Sequence, residues 1–491
     1  MAIMTGLFLM GTAVMQAQVE IQKDKVSAYF NEVLAEKNAS YTEEQKISLE
    51  QVEEAQKAVW DLWVDANTNF DEEKLISLKE LSKSPTGKWN LPAKLEPNAV
   101  MDYYYGSKGA KPTDGYPFFL YLHGSGTPSG EWSTGLGIAK KNADGPSAYF
   151  IPKIPNTGNY YRWWQKGKQW AWEKLLRSLY VEGDINPNKV FFFGISEGGY
   201  GSQRLASYYA DYLAGAGPMA GGEPLKNAPV ENCRNIAFNF RTGAEDDGFF
   251  RNTLTGYTKD AFEALQAKHP DGFVHHIELI PGYAHHIDYY QTTPWLKDYE
   301  RNPYPKHVMW ENFDMDNRYR KGFYNIYLEE DPRGGFSYRV YYTMDIEDNV
   351  INLLVRRCSY RTTETKDGIE MAFKRTYSNL NKGKIRLFLN QELVDLSKPV
   401  KVVANDKILF DGMVEPDVKD MVQSCAVFFD PARVYPASVL IDMTQESLGV
   451  DGVVLDQTEQ PTEYYDLSGR RIENPAKGLF ITNKGKKVLL P

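Results

Sequence analysis

The stretch that decides the fold is "VFFFGISEGGYGS", residues 190–202. Four large apolar residues run without a break toward a serine flanked by glycines. An apolar run bounded by glycine predicts a strand buried on both faces, as in a parallel sheet. Gly194-Ile195-Ser196-Glu197-Gly198 then has the spacing of an elbow, where strand turns sharply into helix and the serine stands at the corner. Glycines two residues before and two after suit that corner, because a side chain there would collide across it. An ordinary strand-to-helix turn with a capping serine shares part of the pattern. The surrounding residues must decide between the two.

A serine hydroxyl is a poor nucleophile until a base takes its proton, so the elbow predicts a histidine and an acid elsewhere in the chain. In this architecture the order is serine, acid, histidine, with each at the carboxyl end of a strand. After the apolar run "IAFNF" comes "RTGAEDDGFF", in which Asp246 is the preferred acid, with Glu245 and Asp247 as alternatives. After "IELIPG" comes "YAHHIDYY", with His285 the preferred base and His286 its alternative. Acidic loops and solvated histidines are common, so the weight lies in their order and in their position after strands. His275 and His276 sit inside an expected strand and read as structural. Adjacent histidines without a third partner make a poor ligand set, so no metal and no cofactor are expected.

The elbow also needs donors for a developing oxyanion. The N–H of Glu197, at the positive end of the following helix, is one candidate. The other comes from "YLHGSG" at the end of an earlier apolar run, where Ser125 is the assigned donor and Gly126 its substitute. Trp132, Trp163 and Trp164 are expected on loops near the strand ends, where a cleft is expected. They are candidates for contact with a sugar or phenolic ring. Trp170 and Trp172, inside a helical pattern, read as core.

Outward from this centre, residues 97–305 alternate apolar runs with helix-period stretches, the mark of a doubly wound α/β sheet. Residues 18–96 read as a helical segment that packs on the following domain, with Ile47, Val52, Ala55, Val59, Leu62 and Trp63 near helical spacing. Residues 306–445 are rich in strand patterns and predict an antiparallel β-sandwich, with Asn405-Asp406 as a hairpin turn. Residues 446–491 read as a linker and a small terminal unit of two or three strands. The first 17 residues form an apolar run that ends in small residues and resembles a secretory signal peptide, although no Lys or Arg precedes it. The run is too short for a stable membrane span.

At 491 residues the chain has material for roughly two to four domains. A net charge of −9 argues against a nucleic-acid surface, which needs a basic stripe. Three widely spaced cysteines, Cys233, Cys358 and Cys425, exclude a zinc ligand pattern and allow at most one bridge.

Residues 97–300 resemble an α/β-hydrolase domain, and are most similar to secreted esterase-like hydrolases of Bacteroidetes. The segments "GISEGGYGSQRLASYYADYLAGAGPMAGGEP", "YLHGSG", "RTGAEDDGFFRN" and "GYAHHIDYYQTTPWL" carry the resemblance, together with "CAVFFDPARVYPASV" in the β-rich region. The terminal "YYDLSGRRIENPAKGLFITNKGKKVL" is similar to sorting tails that engage outer-membrane export machinery. The resemblance implies a Ser196-His285-Asp246 triad and a secreted, periplasmic or cell-surface serine esterase. It also implies an ester substrate, expected to be an acylated oligosaccharide of plant polysaccharide with acetyl or feruloyl-type groups. Two rivals remain: a serine peptidase of the prolyl oligopeptidase type, and an inactive glycan-binding relative.

Overall fold

The computed structural model describes residues 19–448 and, beyond them, the strand backbones at 464–465, 471–472, 478–482 and 487–490. The expected signal peptide lies outside the described residues. Nine strands build the larger sheet: β1 Lys79–Glu80, β2 Thr86–Asn90, β3 Val100–Lys108, β4 Tyr116–Leu122, β5 Ser147–Pro152, β6 Ile185–Ile195, β7 Gly215–Met219, β8 Ala237–Gly243 and β9 His275–Ile280. Their order is β1-β3-β5-β4-β6-β7-β8-β9, with β2 on β3. From β5 to β9 all neighbours are parallel, and β3 joins antiparallel at β5. The elbow strand β6 is therefore interior, which is why its apolar run is unbroken.

Among the described residues the α-helices are α1 Lys23–Leu34, α2 Val52–Asn69, α3 Pro128–Lys141, α4 Lys166–Glu182, α5 Glu197–Tyr209, α6 Arg251–Lys268, α7 Thr292–Leu296 and α8 Val418–Phe428. Alternation along the central strands sends side chains into two cores. Phe118, Leu120 and Phe192 share one with Trp172, Leu175 and Leu179 of α4 and Leu205 of α5. Phe119, Tyr121, Phe191 and Phe193 share the other with Leu136 of α3 and Leu296 of α7. Each fully buried Phe or Leu contributes about 1.5–3 kcal/mol, so β6, with three buried phenylalanines, is a firm base for the corner it carries.

Two expectations about the N-terminal segment change. Within residues 18–96, β1 and β2 are strands that extend the sheet edge, held by Trp89 packed on Tyr103 (5.0 Å) and Phe150 (5.3 Å). The helical pair α1 and α2 packs on α8, far along the chain. Val26 and Phe30 of α1, with Val59 and Trp63 of α2, share a core with Val418, Met421 and Val422 of α8.

The β-rich region contains β10 His307–Asn312, β11 Gly322–Phe323, β12 Ile326–Glu330, β13 Arg339–Glu347, β14 Val350–Lys366, β15 Ile369–Asn379, β16 Lys384–Leu389, β17 Val400–Ala404, β18 Lys407–Gly412 and β19 Ala437–Asp442. One sheet runs β10-β13-β14-β17-β18 with β15 on β14; the other runs β11-β12-β16-β19. Trp310 of the first stacks on Phe323 of the second at 5.3 Å, so the inner faces share a core. The expected antiparallel pattern holds except between β14 and β17, which are parallel. Helix α8 is an addition that strand patterning did not reveal. Asn405 and Asp406 are both left-handed, as a two-residue turn between β17 and β18 requires.

Beyond Cys358, β14 leaves β13 and pairs with β15 alone, forming a two-stranded arm closed by left-handed Asp367 and Gly368. The three cysteines are buried and unbridged. Among its described residues the terminal unit has four antiparallel strands, against the two or three expected: β20 Tyr464–Tyr465, β21 Arg471–Ile472, β22 Gly478–Thr482 and β23 Lys487–Leu490. Among the described residues no helix is long and apolar enough to cross a membrane.

Candidate active site

Ser196 sits between β6 and α5 with φ 57° and ψ −114°, a conformation a non-glycine residue holds only when its surroundings enforce it. Enforcement comes from three sides. The Ser196 N–H donates to the Met219 carbonyl of β7 at 2.9 Å, while its own carbonyl accepts from the Tyr200 N–H at 3.0 Å. A Cβ on Gly194 would strike the Gly198 carbonyl, and one on Gly198 would strike the Leu122 carbonyl of β4. The two glycines are thus a steric requirement of the corner.

The hydroxyl so presented lies 3.0 Å from His285 Nε2, and His285 Nδ1 lies 2.7 Å from Asp246 Oδ2. A carboxylate only accepts, so Nδ1 carries the proton and Nε2 offers its lone pair to the serine hydroxyl. Asp246 is buried after β8, and His285 follows β9 with its side chain 35% exposed. The alternatives Glu245, Asp247 and His286 point to solvent. Asp246 has a second partner that the sequence did not disclose: Arg251 Nη1, at the start of α6, donates to Oδ1 at 2.8 Å. Both oxygens of the acid are therefore fixed in place.

Glu197 opens α5, so its N–H has no partner within the helix. Ser125 faces the same cavity as Ser196, and the orientation of its N–H follows from the peptide before it. The Gly124 carbonyl accepts from Tyr161 Oη at 2.7 Å and from His123 Nδ1 at 2.8 Å. In a trans peptide the Ser125 N–H points the opposite way, away from both. His123 can serve as this donor because the Ile154 N–H donates to its Nε2 at 3.1 Å, which places the ring proton on Nδ1. Burial pushes the His123 imidazole down to about 4, so it stays neutral at ordinary pH. Gly126 is exposed and does not line the cavity.

The cavity at Ser196 is about 450 Å³ and opens to solvent. Three guanidiniums line it, each already paired. Arg204 meets Glu223 through two bonds at 2.6 and 2.9 Å, Arg162 meets Glu197 at 3.1 Å, and Arg251 meets Asp246. Of the three tryptophans expected near the cleft, Trp164 lines the cavity, with the Arg204 guanidinium 3.9 Å from its ring centre. Trp163 is fully buried instead, its indole N–H donating to the His123 carbonyl at 2.9 Å, so it braces the loop that carries Ser125 and does not face the cavity. Trp132 belongs to α3, stacks on Tyr104 at 4.1 Å and bonds the Ile151 carbonyl at 2.8 Å, so it packs on the sheet edge and does not line the cavity. Gly368, Ile369 and Glu370 at the tip of the arm form part of the cavity wall, a contribution that nothing in sequence order suggests. Among the described residues no group of three His, Cys, Asp or Glu could hold a metal ion.

No protein-family model matches the chain, and no curated protein sequence matches it. Among solved structures it is similar to a thermostable esterase, at 19% identity over 45% of this chain with a TM-score of 0.37, and spans 64% of that esterase's length. It is also similar to a CE1 ferulic acid esterase from Anaeromyces mucronatus, at 14% identity over 43% of this chain and 87% of that one, TM-score 0.31. A poly(aspartic acid) hydrolase-1 from Sphingomonas sp. KT-1 aligns at 16% identity over 43% of this chain and 95% of that one, TM-score 0.32. At these scores the function has to be argued from the site itself.

Proposed function

We propose that the protein is an α/β-hydrolase that cleaves carboxylic esters through Ser196, His285 and Asp246, and that it removes acetyl or feruloyl-type groups from carbohydrate. The observation that carries this reading is the continuous chain from Asp246 through His285 to a serine hydroxyl held at positive φ over an open cavity. Ser196 Oγ attacks the ester carbonyl while His285 Nε2 takes its proton. Asp246 keeps the imidazole in the required tautomer and balances the imidazolium. The N–H groups of Glu197 and Ser125 receive the oxyanion; one such donor is worth ~10²–10³ in rate. His285 then returns the proton to the departing alcohol, and water repeats the sequence on the acyl-enzyme. In this reading the protein acts outside the cytoplasm.

The test is labelling by a fluorophosphonate together with turnover of p-nitrophenyl acetate. Ser196→Ala is expected to abolish labelling and to reduce turnover on the order of 10⁶-fold while the protein stays folded. Labelling that persists in Ser196→Ala would identify a different nucleophile. Turnover of peptide anilides in place of the ester would favour a peptidase.

A further inference from the structure

The cavity at Ser196 has walls of two origins, loops of the α/β sheet and the tip of the arm. The arm is a two-stranded ribbon of a kind that has little stability alone, yet it is tied to the α/β part at several points. Arg375 pairs with Glu231 at 2.5 Å, while within the β-rich region Tyr360 Oη donates to Glu311 of β10 at 2.7 and 2.8 Å. At its tip Lys226 Nζ donates to both oxygens of Glu370 at 3.0 and 2.7 Å, and the Thr362 hydroxyl donates to Oε1. A carboxylate offers about four acceptor positions. The one left over is on Oε2, in a residue that is part of the cavity wall. Beside it stands Glu223, fixed by Arg204 and by Asn227 Nδ2 at 2.9 Å.

Phe249, also in the cavity wall, is 69% exposed. It and Phe250 are consecutive left-handed residues, with φ 53° and 59°. A large ring left in water on a strained backbone is not placed there for packing. Immobilised acceptors and an exposed ring, with the Arg251 guanidinium 5.2 Å from its centre, suit a sugar, whose hydroxyls donate and whose C–H face lies against a ring.

Resting on the esterase reading, we propose that the arm binds the sugar half of a glycosyl ester. Glu370 accepts a hydrogen bond from a sugar hydroxyl, and Phe249 stacks on the face of the ring. The β-rich region is thereby part of the substrate site.

The test compares acetylated methyl xyloside with p-nitrophenyl acetate, which has no hydroxyl to donate, on the full-length protein. In Glu370→Ala the ratio of kcat/KM on the sugar ester to that on p-nitrophenyl acetate is expected to fall about tenfold, through KM, with partial rescue in Glu370→Gln. An unchanged ratio overturns the proposal. Calorimetry on Ser196→Ala separates binding from chemistry: it should bind acetylated methyl xyloside, and addition of Glu370→Ala or Phe249→Ala should weaken binding about tenfold. No binding to Ser196→Ala, or equal binding by the double variants, overturns the role of the arm even where ester turnover is normal. Failure of the wild type to label or to turn over p-nitrophenyl acetate overturns the esterase reading, and the calorimetric result then decides the sugar site by itself.

Discussion

Two clusters in this molecule set acids against bases, and they differ in one respect. At Ser196 the chain from Asp246 to His285 ends in a hydroxyl that faces an open cavity. Between the α/β sheet and the β-rich region, Asp211 and Asp430 meet Arg301, Arg320 and Arg433 with no opening at all. Arg433 donates to Asp211 at 2.7 Å and to Asp430 at 2.9 Å, Arg301 donates to Asp430 at 2.7 Å, and Arg320 grips Asp211 at 2.8 and 2.9 Å. All four carboxylate oxygens accept, the Ala432 N–H completing the set at Asp430. Proximity of acid and base is thus common to both. What distinguishes the open cluster is a hydroxyl turned toward a space a substrate can enter; the sealed cluster has used its carboxylates to join two parts of the chain.

The sharpest way to break this comparison is to exchange the acid in each cluster for its amide. Asp246→Asn removes the acceptor that fixes the His285 tautomer, and kcat/KM on p-nitrophenyl acetate should fall ~10⁴-fold in a protein that still folds. Asp430→Asn should act the other way. The charges of Arg301 and Arg433 outweigh burial and hold the Asp430 carboxyl below its usual range, so the group is ionised when folded. Its loss leaves buried guanidiniums undercompensated and should cost about 3–5 kcal/mol in denaturant unfolding. Turnover per folded molecule should not change. An Asp430→Asn protein of full stability and lost activity would erase the distinction between the clusters.

The elbow was legible because its constraints are local. Gly194 and Gly198 are required by carbonyls across one turn, and an apolar strand leading into Gly-x-Ser-x-Gly states that geometry within a dozen residues. Asp246 and His285 were legible because each follows a strand directly. The arm was not, since Asp367-Gly368 marks a turn but nothing in sequence order says that its tip reaches Ser196. Trp163 and Trp132 were misplaced for a related reason: both inward and outward orientations are open to a tryptophan near a strand end, and the deciding partners, His123 and Tyr104, lie elsewhere in the chain. The α1–α2 pair found its apolar partner in α8, whose helical period is embedded among strands.

The smallest expected effect concerns Glu197, which belongs to the open cluster yet shares the burial of the sealed one. Burial pushes its carboxyl up to about 7 from an ordinary 4.5, and the charge of Glu223 adds to the rise. Arg162, 3.1 Å away, opposes this, but its side chain is 48% exposed while that of Glu197 is 11% exposed, so water weakens the ion pair more than it relieves the burial. The folded protein therefore holds this proton more tightly than the unfolded chain does. The associated stability is fully present below about pH 4.5 and is lost as pH rises through about 7, a change of about 3 kcal/mol. Glu197→Gln keeps the backbone N–H at the start of α5 but cannot ionise. Its stability relative to wild type, measured by denaturant unfolding, should rise by about that amount between pH 4.5 and 7. A difference independent of pH would mean that Arg162 keeps the carboxylate charged throughout, and that the residue next to Ser196 behaves like the paired acids of the sealed cluster.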